Sequence, residues 1–352
     1  MVAALAVLFT HSFALSTGSG DAQPLRTTLG LTWGDIAVDV FFITSGFLVT
    51  ASLLTRNSAI DFVWARVLRI YPALWLMLGL TVFGLGVFFT AYPLDRYFSD
   101  RITWHYLLKN AVLITGVHYI LPGVFQGTPW KGAVNGSLWT LVPEVRVYAL
   151  LLALWIAAPL ARGYHLTAFR LAVIAIAAIS GAWYLYHGLF EPEGNFPRLA
   201  FMFFTGASFY VLKDKIELHQ SLFWVLLATL GLSLVQRATF FFVFNATLGY
   251  ILMYAAYAFG GPIRAFNRLG DYSYGVYIYT FPVQQSLASL VHEISVPALM
   301  VSSAVITLAL AALSWHLLEK RALGLKTVCA DRTKYWLRSW RRRKSSSASN
   351  LP

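Results

Sequence analysis

The chain has 352 residues, of which 58% are hydrophobic and only 12% charged, with a formal net charge of +12. Soluble domains carry about 25% charged residues, so this composition excludes an ordinary soluble globular domain. The basic excess lies in short stretches between apolar runs and after Glu319, a pattern that orients a membrane protein and argues against nucleic-acid binding. The single cysteine, Cys329, leaves no internal disulfide and no multi-cysteine metal site.

Apolar runs of about 20 residues, long enough to cross a bilayer, recur along the chain. They predict helices near 1–16, 36–54, 70–90, 137–160, 171–190, 199–213, 221–236, 240–259, 272–291 and 297–318. The expected architecture is an all-α, polytopic transmembrane bundle of about ten spans. The segment 104–126 is broken by Gly116, Pro122 and Gly123, carries Lys109 and His118, and reads as interfacial or re-entrant. Residues 1–16 have no basic start and contain His11, which argues against a cleaved signal peptide. One transmembrane domain is expected over 1–325, followed by a basic, Ser-rich cytoplasmic tail over 326–352. Ser345 to Pro352 read as disordered, near anionic lipid headgroups.

An even number of spans puts both termini on one side. Placing them in the cytoplasm gathers most of the 27 Lys and Arg there, including Arg56, Arg66, Arg69, Arg162, Arg264, Arg268 and those after Glu319. Lys109, Arg146 and Arg198 fall in the minority left over.

Ionisable groups inside spans are costly and mark functional positions. His11 lies in the first span and Glu144 in the fourth. A rise of about 1.5 Å per residue puts His11 about 13 Å below the outer face of a core about 30 Å thick. The same arithmetic puts Glu144 about 12 Å and Ser45 about 13 Å below that face. The three are expected in one layer. A carboxylate there would orient the imidazole and hold its tautomer for acid–base work. Two residues hydrogen-bonding neighbouring helices would give the same pattern. Asp35 and Asp39 lie near the outer mouth. The loop Arg66-Val-Leu-Arg69-Ile-Tyr-Pro72 puts two arginines on one helical face, a fork suited to phosphate. Topology alone also explains arginines in a cytoplasmic loop.

Taken in order, several motifs resemble the acyltransferase-3 family. They are His11 in the first span, the run from Gly34 through Asp39, Ser45 and Phe47, and Arg66 to Pro72. Then follow Asn135-Gly-Ser137-Leu-Trp139-Thr-Leu-Val-Pro-Glu144 with Tyr148, and Phe201 to Gly206. Leu269 to Pro282 and Ser314 to Lys320 complete the set. The resemblance spans nearly the whole chain and implies a ten-span bacterial inner-membrane enzyme. Such enzymes move an acyl group, usually acetyl, from cytoplasmic acyl-CoA to extracytoplasmic glycans. It implies His11 as the catalytic histidine, with Glu144 in the catalytic motif. Arg66 and Arg69 would belong to the acyl-CoA site. Ser45, Asp39, Trp139 and Tyr148 would line the substrate site. Acyl-CoA would be a substrate, with no permanently bound cofactor and no metal. Membrane lipids and a carbohydrate acceptor complete the expected partners.

The sequence departs from the family pattern in places. The arginine expected eleven residues before the histidine would fall just before Met1. Thr280 stands where many members have histidine, and Arg321 where proline is common. The expected activity is O-acyl transfer to a carbohydrate hydroxyl. The rival is a transporter of a lipid-linked glycan or small solute, which also keeps ionisable groups near the midplane. Transporters often show paired repeats, and this chain has none.

Overall fold

The computed structural model describes residues 1–160, 163–190, 195–258 and 270–348, with no side chains described for 189–190, 195 and 341–348. Arg162, Arg264, Arg268 and Leu269 lie outside the described residues. Among those described, the elements are helices, joined by two isolated bridges, Thr90 to Val124 and Ile120 to Ala133. Each of the ten expected segments falls on a helix. Among the described residues, six helices are long and apolar enough to cross a membrane, and two shorter apolar ones, Val2–Thr17 and Gln220–Ser233, accompany them. The outer surface is apolar: Leu232 is 78% exposed and Phe88 70%. Such a surface suits lipid rather than water.

Helix α1 (Val2–Thr17) ends at Gly18, whose φ of 76° lets its N–H reach the Ala14 carbonyl. A side chain at Gly18 would meet the Pro129 carbonyl at 2.8 Å, so both conformation and space require glycine. Helix α2 (Trp33–Arg56) opens with a capping box between Thr32 and Asp35. Helix α3 (Ala59–Phe89) is capped by Ser58, contains Pro72, and widens to a π turn at Leu80–Leu85. The sequence placed this helix from 70 onwards, with Arg66 and Arg69 in a loop. The Ser58 cap starts it earlier, so both arginines lie on the helix.

Helix α4 (Arg101–Val112) runs back beside α3 and ends at Leu113 with φ of 57°. Its last carbonyls have no helical partner and take side-chain donors instead. Trp75 Nε1 donates to Ala111 at 3.1 Å, Tyr71 to Val112 at 3.0 Å, and Arg146 to Ile114 at 3.2 Å. The chain then returns as an irregular segment. Buried Asn110 holds both the carbonyl and the N–H of His118, each at 2.8 Å. The 104–126 segment is thus a helix followed by an irregular return that folds back onto it.

Helix α5 (Leu141–Ala157) follows a 3-10 turn over Gly136–Thr140, capped by the Asn135 side chain. Then come α6 (His165–Phe190), α7 (Asn195–Val211), α8 (Gln220–Ser233), α9 (Arg237–Ala258), α10 (Ser273–Leu290) and α11 (Val296–Ser314). A second π turn, Trp315–Glu319, follows α11.

Two glycines fix the crossing of α2 and α7. A Cβ at Gly46 would strike the Phe203 carbonyl, and one at Gly206 would strike the Ile43 carbonyl. The two backbones therefore touch reciprocally, as small residues allow in membrane bundles.

Helix α12 (Lys326–Ala348) covers most of the expected tail. It packs on the start of α3, where Lys334 pairs with Asp61 at 2.5 Å and Trp64 Nε1 donates to Thr333 at 3.0 Å. The disorder expected from Ser345 is corrected as far as Ala348, where the helix ends.

Candidate active site

The polar side chains inside the bundle form two layers. In the first, α1 carries His11, and Phe281 of α10 meets its ring edge-on at 5.2 Å between centres. His11 Nδ1 is buried without a hydrogen-bond partner among the described residues. The carboxylate whose charge acts on the ring is Asp35, in the first turn of α2. Asp35 is itself held: its Oδ2 accepts from the Thr32 N–H and hydroxyl, both at 2.9 Å. Arg198 of α7 donates to Asp35 Oδ1 at 3.2 Å and to the Asp35 carbonyl at 2.8 Å. The same guanidinium binds Asp39 through Nε to Oδ1 and Nη2 to Oδ2, both at 2.9 Å. Arg198 and Asp39 are both buried. A desolvated pair is tolerable only with its donors and acceptors matched, as this fork achieves.

In the second layer, Tyr148 donates to Glu144 Oε1 at 2.5 Å, one turn away on α5. The Tyr148 oxygen also lies 2.8 Å from the Ser45 hydroxyl of α2. The Arg66 guanidinium stands 5.7 Å from the centre of the Tyr148 ring. The positive charges acting on Glu144 are Arg66 and Arg69. Arg69 donates to Asp271 at 2.6 Å and lies over Tyr274 at 5.6 Å. Its Nη1 is 3.6 Å from Glu319 Oε2, an ion-pair distance but too long for a hydrogen bond. Arg66 Nε and Arg69 Nη1 are buried donors with no hydrogen bond among the described residues, Arg69 Nη1 having only the longer ion pair to Glu319.

Helical spacing joins the layers. On α10, Tyr274, Tyr277 and Phe281 follow at intervals of three and four, so they share a face. Along the Gly136 turn and α5, the positions 136, 140, 144 and 148 repeat every four. A side chain at Gly136 would strike the Phe281 ring at 2.5 Å. One turn inward, Thr140 and Tyr277 share a hydrogen bond of 2.7 Å. Next come Glu144 and Tyr274, and then Tyr148. A polar column thus runs from Thr140 and Tyr277 to the arginines, and the Phe281 ring joins its far end to His11.

The single layer expected for His11, Ser45 and Glu144 is therefore two. Ser45 and Glu144 meet through Tyr148, but His11 is level with Gly136, and Thr10 beside it packs on Gly34. The stretch from Gly136 to Glu144, half 3-10 turn and half α-helix, spans about 14 Å. The sequence arithmetic failed because it started every helix at one membrane plane. Asp39, expected to line the substrate site, has both oxygens facing Arg198 and no exposed surface. Trp139 is half-buried against the apolar core and makes no hydrogen bond among the described residues. The pairing of Arg198 with Asp35 and Asp39 was not anticipated. Its signal was a lone arginine beside the run of α7, on the side poor in basic residues.

An apolar helical bundle with a histidine–carboxylate layer and an arginine layer inside it is the architecture of a multi-pass membrane protein. The family described as an acyltransferase domain matches residues 1–316, and the chain belongs to this acyltransferase-3 family. The O-acetyl transferase of Shigella phage Sf6 is 30% identical over 92% of this chain and 94% of its own. Nodulation protein 10 of Rhizobium leguminosarum bv. viciae is 29% identical over 93% of this chain and 92% of its own. No solved structure matches the chain. The protein is thus a membrane O-acyltransferase, and the transporter alternative falls away.

Proposed function

We propose that this enzyme takes an acyl group, acetyl in the simplest case, from cytoplasmic acyl-CoA. It delivers that group to a carbohydrate or glycan hydroxyl on the extracytoplasmic face of the bacterial inner membrane. Both termini lie in the cytoplasm. The similarity to an O-acetyl transferase supports the acyl group, and the basic bias supports the orientation.

One observation carries the reading. Buried nitrogens without hydrogen-bond partners flank one polar column: His11 Nδ1 beyond the Phe281 ring at one end, Arg66 Nε and Arg69 Nη1 at the other. Buried polar atoms are normally paired, so exceptions call for an absent partner. At the arginines that partner is the diphosphate of the donor, matched by guanidinium forks. The pantetheine arm follows the Tyr274, Tyr277 and Thr140 hydroxyls, and the thioester reaches His11. His11 takes the proton of the acceptor hydroxyl as its oxygen attacks the thioester carbon. The C–S bond breaks, a C–O ester forms, and the proton passes from His11 to the leaving thiolate. Asp35 takes the supporting role that the sequence assigned to Glu144, stabilising the imidazolium. Glu144 keeps Tyr148 and Ser45 fixed along the passage.

The test uses purified protein with labelled acetyl-CoA, together with mass spectrometry of surface glycans from cells with and without the gene. Acetyl-CoA turnover and a gene-dependent O-acetyl mass on a glycan are expected. Turnover from a lipid-linked or protein-linked donor, with none from acetyl-CoA, would overturn the donor assignment.

A further inference from the structure

Three helices of the Ser45–Glu144 layer continue the same faces towards the Asn57 end of the bundle. Seven residues are about two helical turns, or about 10 Å, and return to nearly the same face. At that spacing Tyr148 is followed by Trp155 on α5, Phe203 by Tyr210 on α7, and Phe47 by Leu54 on α2. Ring contacts lock these faces together. Tyr148 lies 5.7 Å from Phe203, and Phe47 lies 5.3 Å from Tyr210. Trp155, Tyr210 and Leu54 then line a groove of about 840 Å³. That is within the range of about 300–1,000 Å³ typical of small-molecule sites.

The groove has aromatic walls and a basic rim. His165, Arg170 and Lys213 line it, with Thr55 and Asn57, and Asp214 is the carboxylate among the described lining residues. The Lys213 ammonium lies 4.9 Å from the centre of the Tyr210 ring. None of these residues belongs to the motifs of the resemblance or to the polar column.

We infer that this groove binds the nucleotide end of acyl-CoA: adenosine with its 3′-phosphate. The inference rests on the acyl-CoA reading of the donor. Trp155 and Tyr210 offer flat faces for the adenine. Arg170 and Lys213 meet the 3′-phosphate, the arginine through its fork. Thr55 and Asn57 supply a hydroxyl and an amide for the ribose and the base edge. From here the diphosphate and pantetheine run along the Tyr148 face, past Arg66 and Arg69, towards His11. The groove opens at the end that the donor reading places in the cytoplasm, where acyl-CoA is found. An anionic phospholipid also presents a phosphate over apolar chains, and the experiment separates the two.

The test compares the folded, detergent-purified wild type with an Arg170→Ala/Lys213→Ala double variant. The probes are CoA, dephospho-CoA and 3′,5′-ADP, followed by calorimetry. The variant is expected to lose about tenfold or more in CoA affinity, the loss of charge-assisted phosphate contacts. Binding of 3′,5′-ADP should fall with it, while dephospho-CoA, which lacks the 3′-phosphate, should be nearly unaffected. With acetyl-CoA, KM should rise while kcat holds. Unchanged CoA affinity in the variant overturns the inference. So does displacement by phosphatidylglycerol of a probe on the groove that CoA fails to displace. If Arg66→Ala/Arg69→Ala abolishes CoA binding while the groove variant keeps it, the donor reading stands and only the groove fails. If the wild type binds no CoA, both fall together.

Discussion

Arg198 closes on Asp39 from two nitrogens at once, with Nε and Nη2 each 2.9 Å from a different carboxylate oxygen. The pair joins α7 to α2 beneath Asp35, the residue whose charge reaches His11. Removing one partner of a buried pair leaves an uncompensated charge, at a cost of about 3–5 kcal/mol. Arg198→Ala should therefore lower the melting temperature in detergent sharply. Arg198→Lys should recover only part of it, because one ammonium cannot span both oxygens. The double variant Arg198→Ala/Asp39→Ala should be less damaged than the two single losses added together. A melting temperature for Arg198→Ala close to wild type would show that the pair contributes little.

His11→Ala and His11→Gln should cost about 10²–10⁴ in transfer rate, the usual worth of a positioned acid–base group. Acyl-CoA binding should survive, since the arginine layer is untouched. Asp35→Asn should slow transfer by less, because it removes only a supporting charge. Acyl transfer by membrane-inserted protein, paired with a donor-binding assay, separates the two effects. Near-normal turnover in His11→Ala would move the base elsewhere.

Arg66→Ala with Arg69→Ala should weaken acyl-CoA binding while leaving the protein folded. Lysine at both positions should restore part of the affinity but not the fork geometry. Arg69 also holds Asp271 at 2.6 Å, so the Arg66 single variant is the cleaner probe of the donor. If affinity in the Arg66 variant matches wild type, Arg66 does not touch the donor.

Gly46→Ala and Gly206→Ala should each destabilise at or beyond the upper end of the about 1–3 kcal/mol typical of overpacking, because backbone meets backbone. Gly79→Ala, with nothing within 4 Å of the new Cβ, is the control and should melt no lower than wild type. Equal melting temperatures for all three would contradict the close crossing of α2 and α7.

A reporter fused after Pro352 that works only in the cytoplasm should be active, and its periplasmic counterpart silent. The opposite result would reverse the orientation and detach the donor layer from its source of acyl-CoA.

The helices were legible because apolar runs in a membrane protein have few other destinies. The boundary of α3 was not, because its first turns are polar and amphipathic and the Ser58 cap outweighed hydropathy. The chemistry-bearing residues were legible singly, through the cost of a histidine or carboxylate in an apolar run. Their grouping was not, since helices begin at different levels and residue counts carry no common origin. Asp35 stood out at the mouth of its helix, but its link to Arg198 joins residues far apart in the chain. No local pattern encodes that link.

The contact between Gly46 and Gly206 also bears on motion. Two helices touching backbone to backbone through reciprocal carbonyls cannot slide or rotate past one another without a clash. They move as one strut, with Asp35, Asp39 and Ser45 on one rail and Arg198 on the other. Adjustment on binding or release then falls to the helices packed around the strut, among them α10, which carries Pro282 within it and whose Tyr277 meets Thr140 through a single hydrogen bond. The strut keeps the supporting charge in register with its arginine while the column beside it breathes.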